Sequence, residues 1–199
     1  VLVDSEATSI GVIVDLAKEM GHSMDLDAAI AEFSGQSLQY CFNYIEDAGG
    51  QKFPSNVANI YRTRSYKAFE ESLKPIPGIH QVLERLTLPR CVASNAPGDK
   101  IRLNLGLLKL SHFFGENIFS AYDIQKWKPE PDLFLHAAQK MGFAPKDCLV
   151  VEDSLAGVLA AKAGGFEVMG YASNRTAAQL DKAGATVFYD MNLLDQYLV

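Results

Sequence analysis

A chain of 199 residues is long enough for a core burying ~70% of the unfolded surface, in one domain or in one carrying an inserted lobe. Its 48% hydrophobic and 21% charged residues are ordinary for a globular protein, and a net charge of −6 argues against nonspecific nucleic-acid binding, which needs a basic footprint. No stretch approaches the ~20 apolar residues needed to span a bilayer, whereas an anionic small molecule remains admissible because distant acids are screened over ~8–10 Å.

From about Glu6 to Lys74 the pattern is helical, with no convincing strand. Ile10, Ile13, Val14 and Ala17 recur at helical spacing, Gly21 follows as a stop, and Asp25 or Asp27 fits the cap of the next segment. Ser34-Gly35-Gln36 interrupts, Leu38 to Asp47 resumes, and Gly49-Gly50 ends that run. The long segment Asn56 to Leu73 places Tyr61, Arg64, Ala68 and Glu71 along one stripe, and Pro75 and Pro77-Gly78 stop it.

From Gly78 onward strands and helices alternate, the signature of a parallel sheet with helices on both faces. The strands predicted are Arg90–Ser94, Asn117–Ser120, Cys148–Glu152, Glu167–Tyr171 and Thr186–Tyr189. Helices are predicted over Asp99–Leu107, Asp132–Met141, Ser154–Ala163, Ala177–Ala183 and the last few residues. The fold class is therefore α/β, a Rossmann-like parallel sheet core with an inserted all-helical cap domain. The core takes residues 1–5 and 76–199, and the cap takes 6–75.

Ligands of open α/β sheets bind beyond the carboxyl ends of strands, and three chemically distinctive segments fall there. Ser94-Asn95 follows an apolar strand; a hydroxyl with free backbone N–H groups suits phosphate oxygens, although an isolated Ser-Asn reads first as a helix cap and only the other motifs reverse that balance. Lys128 stands before Pro129 and Pro131, which stiffen the backbone on its C-terminal side; the plain alternative is a solvated surface charge. Glu152-Asp153 ends another apolar strand. Like charges ~5 Å apart repel by ~3 kcal/mol at an effective dielectric of 20, which a hard cation relieves; the alternative is a helix cap beside an exposed strand end.

Cys41, Cys91 and Cys148 are an odd number without metal-like or redox spacing and read as plain buried thiols, which favours a reducing, cytoplasmic compartment. The four histidines have no ligand-like spacing.

The ordered set Ser94, Lys128, Glu152-Asp153 resembles the last three motifs of the haloacid dehalogenase-like hydrolase superfamily. Val1-Leu2-Val3-Asp4-Ser5-Glu6 resembles the tail of its first motif, Asp-x-Asp-Gly-Val-Leu-Val-Asp-Ser-Glu. No Met precedes Met20, and three apolar residues at position one look like a strand cut open. The expectation is of a chain that continues upstream of Val1, where the family's nucleophile and acid/base aspartates fall. Trp127 departs from the Gly that more often precedes the family's Lys, but Tyr122-Asp123-Ile124-Gln125-Lys126-Trp127-Lys128-Pro129 is similar to the corresponding segment of bacterial 6-phosphogluconate phosphatases.

The resemblance implies a Mg²⁺-dependent phosphatase that hydrolyses a small sugar phosphate, 6-phosphogluconate favoured, through a phospho-aspartate intermediate. Lys128 and Ser94 would take catalytic parts, Ser94, Asn95 and Lys128 would bind phosphate, and Asp153 and Glu152 would hold Mg²⁺, with Asp153 the better ligand. Gly35, Gln36 and Ser37 match a specificity loop of the cap, and Arg62 is the candidate contact for a second anionic group. A monomer or weak homo-oligomer is expected, with a small phosphate ester as the only partner. The alternatives are a phosphomutase of the β-phosphoglucomutase kind, or a noncatalytic phospholigand-binding scaffold if the nucleophile is absent. The mutase motifs have a His where this chain has Ser9 and an Arg where it has Leu38.

Overall fold

The computed structural model describes residues 1–34 and 36–198. The chain divides into two compact units, one of Val1–Leu2 with Pro75–Val199 and one of Val3–Lys74.

The smaller unit is helical apart from the short strand β1 (Val3–Asp4) at its start and Lys74 at its end, the first residue of β2 (Lys74–Pro75). Its helices are α1 (Glu6–Glu19), α2 (Leu26–Phe33), α3 (Leu38–Gly49) and α4 (Val57–Ser72). Each boundary has a local cause. Asp25 takes the Asp27 and Ala28 N–H groups at the start of α2, Ser37 takes the Tyr40 N–H at the start of α3, and Gly50 ends α3 at φ 67°. Ile10, Ile13 and Ala17 of α1 pack with Ala29, Phe33, Cys41 and Ile45, the periodic face expected of α1. The buried side of α4 is Ser65 and Phe69, so the predicted stripe through Glu71 is displaced by one position. Glu71 stays in solvent, opposite Lys67. The sparse apolar content of that helix makes its phase hard to read.

The larger unit alternates α5 (Ile79–Arg85), β3 (Val92–Ser94), α6 (Gly98–Leu107), β4 (Ile118–Ser120), α7 (Ala121–Ile124), α8 (Asp132–Met141), β5 (Leu149–Glu152), α9 (Leu155–Ala163), β6 (Glu167–Tyr171), α10 (Ala177–Lys182) and β7 (Thr186–Phe188). A closing turn of 3₁₀-helix runs over Met191–Tyr197. β3 pairs parallel with β4, and β5, β6 and β7 form a parallel three-stranded ladder. Strand alternation sorts the side chains into two cores. Val92, Leu149, Val151, Met169 and Phe188 pack with Val82 of α5 and Leu105 of α6, while Ala93, Val150, Val168 and Val187 pack with Phe134, Val158 and Leu180 of α8, α9 and α10. Helices therefore cover both faces, as the nearly continuous apolar strands require. α5 and the one-turn α7 are absent from the predicted helices. A seven-residue helix and a single turn are too short to display a full apolar period.

Among the described residues, no helix is long and apolar enough to cross a membrane. Cys41 is buried, whereas Cys91 and Cys148 stand just before β3 and β5 and are only partly buried.

Candidate functional site

The carboxyl ends of β3, β4 and β5 carry Ser94, Ser120 and Glu152. Lys128 reaches them from the loop between α7 and α8. Its ammonium donates to the Ala93 carbonyl at 3.0 Å and pairs with Glu152 Oε1, which joins the end of β3 to the end of β5. Both side chains are 8% exposed, and the ammonium also lies 4.5 Å from the centre of the Phe134 ring. Lys128 is thus a buried cation with an acid, a carbonyl and an aromatic face around it, not a solvated surface charge.

The Glu152 carboxylate is fully engaged. Oε1 faces Lys128, and Oε2 accepts from Asp153 N at 3.1 Å, Ser154 N at 3.2 Å and Ser154 Oγ at 2.9 Å. The Ser154 hydroxyl in turn accepts from Gly157 N at 3.1 Å and caps α9. The Glu152 oxygens, expected to help hold a metal, meet protein donors, and the carboxylate's charge balances Lys128. Asp153 differs. It neither caps α9 nor meets Lys128; its carboxylate is 46% exposed and lies 2.6 Å from the amino nitrogen of Val1.

That geometry bears on the implied Mg²⁺. Among the described residues no group of three or more His, Cys, Asp or Glu side chains could hold a metal ion. Asp153 offers a carboxylate that is 46% exposed. Mg²⁺ is commonly held by one or two carboxylates together with water and substrate phosphate, and Asp153 fits as one ligand of such an oxygen-rich site.

The phosphate-binding candidates also separate. Ser94 is not a helix cap, since α6 starts at Gly98; its hydroxyl accepts from Ala96 N at 3.1 Å and holds the turn beyond β3. The side chain of Asn95, expected at the phosphate site, meets the Lys128 backbone. Its Oδ1 accepts from Lys128 N at 2.9 Å and its Nδ2 donates to Lys128 O at 3.2 Å.

Three contributors lie outside the residues singled out from the sequence. Ser120, 1% exposed, donates to the Ala96 carbonyl at 2.7 Å and accepts from Tyr122 N, so it fixes the turn after Ser94. Its signal is legible, for Ser120-x-x-Asp123 is a capping box. Gly157 and Phe134 carry no such signal, because their parts depend on what folds against them. Trp127 is exposed and meets Tyr122 edge to face, with ring centres 5.5 Å apart.

The cap candidates all lie in the helical unit. Gly35 falls outside the described residues. Gln36 is exposed and its N–H reaches the Phe33 carbonyl at 3.0 Å, while the Ser37 hydroxyl serves as the cap of α3. Arg62 is exposed on α4, two residues from Arg64, which is held by Glu19 through two bonds of 2.6 and 3.1 Å.

The chain is 31% identical over 196 residues to the 6-phosphogluconate phosphatase of Escherichia coli K12, covering 98% of this chain and 89% of that one. A haloacid dehalogenase-like protein of unknown function from Agrobacterium tumefaciens superposes with a TM-score of 0.88 at 31% identity, covering 100% of this chain and 93% of the other. A hydrolase of the same family from Deinococcus radiodurans, solved with bound phosphate and sodium, gives 0.84 at 29% identity, covering 100% and 90%. Residues 1–171 match the family model described as haloacid dehalogenase-like hydrolase, and with a helical unit and an α/β core the chain belongs to that family of hydrolases.

Proposed function

We propose that this chain is a Mg²⁺-dependent phosphatase of small sugar phosphates, with 6-phosphogluconate the favoured substrate. The single observation that carries the reading is the Lys128 ammonium, buried between the ends of β3 and β5 and bonded to the residues that directly precede Ser94 and Asp153. A fixed cation there stabilises charge that grows on phosphoryl oxygens without rearranging during the reaction. The Ser94 hydroxyl would donate to one of those oxygens. Asp153 would hold Mg²⁺, which when bound supplies further positive charge to the phosphoryl group.

An aspartate upstream of Val1 would be the nucleophile that forms the phospho-aspartate, with a second as acid/base. What supports this is the match of residues 1–171 to the haloacid dehalogenase-like hydrolase family. Substrate choice would rest with the helical unit, Val3–Lys74, acting as a cap. Resemblance to a 6-phosphogluconate phosphatase along 98% of the chain supports that substrate.

The test is a panel of sugar phosphates assayed with the full-length protein. We expect 6-phosphogluconate to give the highest kcat/KM, turnover to vanish in chelator and return with Mg²⁺, and Asp153→Asn to lose at least ~100-fold with little change in stability. Full turnover in excess chelator, or an unimpaired Asp153→Asn, would overturn the metal assignment.

A further inference from the structure

We infer that Asn95 is a positioning residue that latches the Lys128 loop to the end of β3, so that it acts on the phosphoryl group through Lys128. The inference deepens the phosphatase reading and rests on it for its kinetic arm. Lys128 is followed by Pro129, and Pro131 stands two residues further on, so this stretch has few N–H donors with which to hold itself. Among the described residues no main-chain partner takes the Lys128 N–H or carbonyl; both are met by the Asn95 carboxamide, at 2.9 and 3.2 Å. A carboxamide presents one acceptor and one donor side by side, the complement of the N–H and C=O of a single residue, and the side chain thus stands in for a neighbouring strand.

The far end of Lys128 returns to the same strand, where Nζ donates to the Ala93 carbonyl at 3.0 Å. Asn95 and Ala93 therefore grip Lys128 at its backbone and its ammonium, with Ser94 between the two grips. The distance from the Ser94 hydroxyl to the ammonium is set by this closed loop. Glu152 neutralises Lys128 but does not touch its backbone, so it cannot substitute for the latch.

Two measurements on the full-length protein test this. The first is a cycle of Asn95→Ala, Lys128→Ala and the double variant, read as kcat/KM. Loss of two part-buried hydrogen bonds should lower kcat/KM about ten- to a hundred-fold in Asn95→Ala, chiefly in kcat, while the double variant stays within about two-fold of Lys128→Ala alone. The second is the rate at which an amine-selective acylating reagent labels Lys128, relative to exposed Lys146 in the same sample. Asn95→Ala should raise that ratio about ten-fold, and Asn95→Asp, which keeps the acceptor but loses the donor, should raise it as well. A labelling ratio unchanged in both variants, or an Asn95→Ala loss that persists in full on the Lys128→Ala background, would overturn the latch. A parent protein that hydrolyses no phosphate ester would sink the phosphatase reading alone, and the labelling ratio would then decide the latch.

Discussion

Glu152 and Gly157 share a space that admits only one side chain. A methyl group at position 157 would come within 2.0 Å of the Glu152 carboxyl carbon and 2.3 Å of each of its oxygens. The glycine on α9 is what allows the carboxylate to turn inward under Lys128. Gly157→Ala should therefore push Glu152 off Lys128 and cost ~1–3 kcal/mol, as overpacking does. Gly11, in α1, has no heavy atom within 4 Å of the position its side chain would take, so Gly11→Ala should stabilise by ~0.5–1 kcal/mol. Urea unfolding of both variants measures the contrast, and equal effects would remove the packing argument.

The buried pair makes stability and turnover separable. Glu152→Ala leaves the Lys128 ammonium buried without its acid and should cost ~3–5 kcal/mol. Replacing both partners by apolar residues of similar volume, Lys128→Met with Glu152→Leu, should recover most of that loss while turnover stays abolished. Denaturation midpoints beside kcat test the separation. A double variant no more stable than Glu152→Ala would show that the pair contributes by packing rather than by charge balance.

Burial, helped by neighbouring Cys148, pushes the Cys91 thiol from 9.0 up to about 11. The unfolded chain therefore releases this proton first as pH rises. The stabilising contribution is complete below about pH 9 and is lost progressively as pH approaches 11. Because a tenfold change in proton affinity is worth ~1.4 kcal/mol, the parent should lose up to ~1–2 kcal/mol more than Cys91→Ala between about pH 8 and pH 10.5. Unfolding curves at the two pH values check it; parallel losses in both proteins would exclude Cys91 as the source.

Much of this architecture is readable before folding because strand and helix obey different periods. Glu167–Tyr171 and Asp132–Met141 have the bounds predicted for them; Pro131 and Gly142 bracket the helix, and Gly164-Gly165 breaks the chain shortly before the strand. The site is legible as a gathering of residue types at strand ends, but not in its wiring. Nothing in the order of residues says that Asn95 faces Lys128 rather than an anion, or that Glu152 is enclosed while Asp153 stays open. Those outcomes depend on distances between segments far apart in the chain. The capping box at Ser120 is readable but its place in the site is not: a serine at a strand end looks like ordinary turn chemistry until its burial is known.

The basic stretch of α4 narrows to one residue once its ion pairs are known. Arg64 is held by Glu19 through two bonds, and Lys67 lies 4.0 Å from Glu71 on the same helix. Arg62 is exposed, and among the described residues no ion pair engages it. Its guanidinium is therefore the group in this stretch with a free fork for a carboxylate. A substrate with a carboxylate remote from its phosphate, such as 6-phosphogluconate, would use that fork, and glucose 6-phosphate would not. Arg62→Ala should then narrow the kcat/KM preference for the first over the second by about ten-fold, chiefly through KM. Arg64→Ala should leave the preference alone and instead loosen α4 from α1, with only a slight loss of stability because the pair is exposed. An unchanged preference in Arg62→Ala, measured beside Arg64→Ala, would take substrate selection away from this helix while leaving the chemistry at Lys128 untouched.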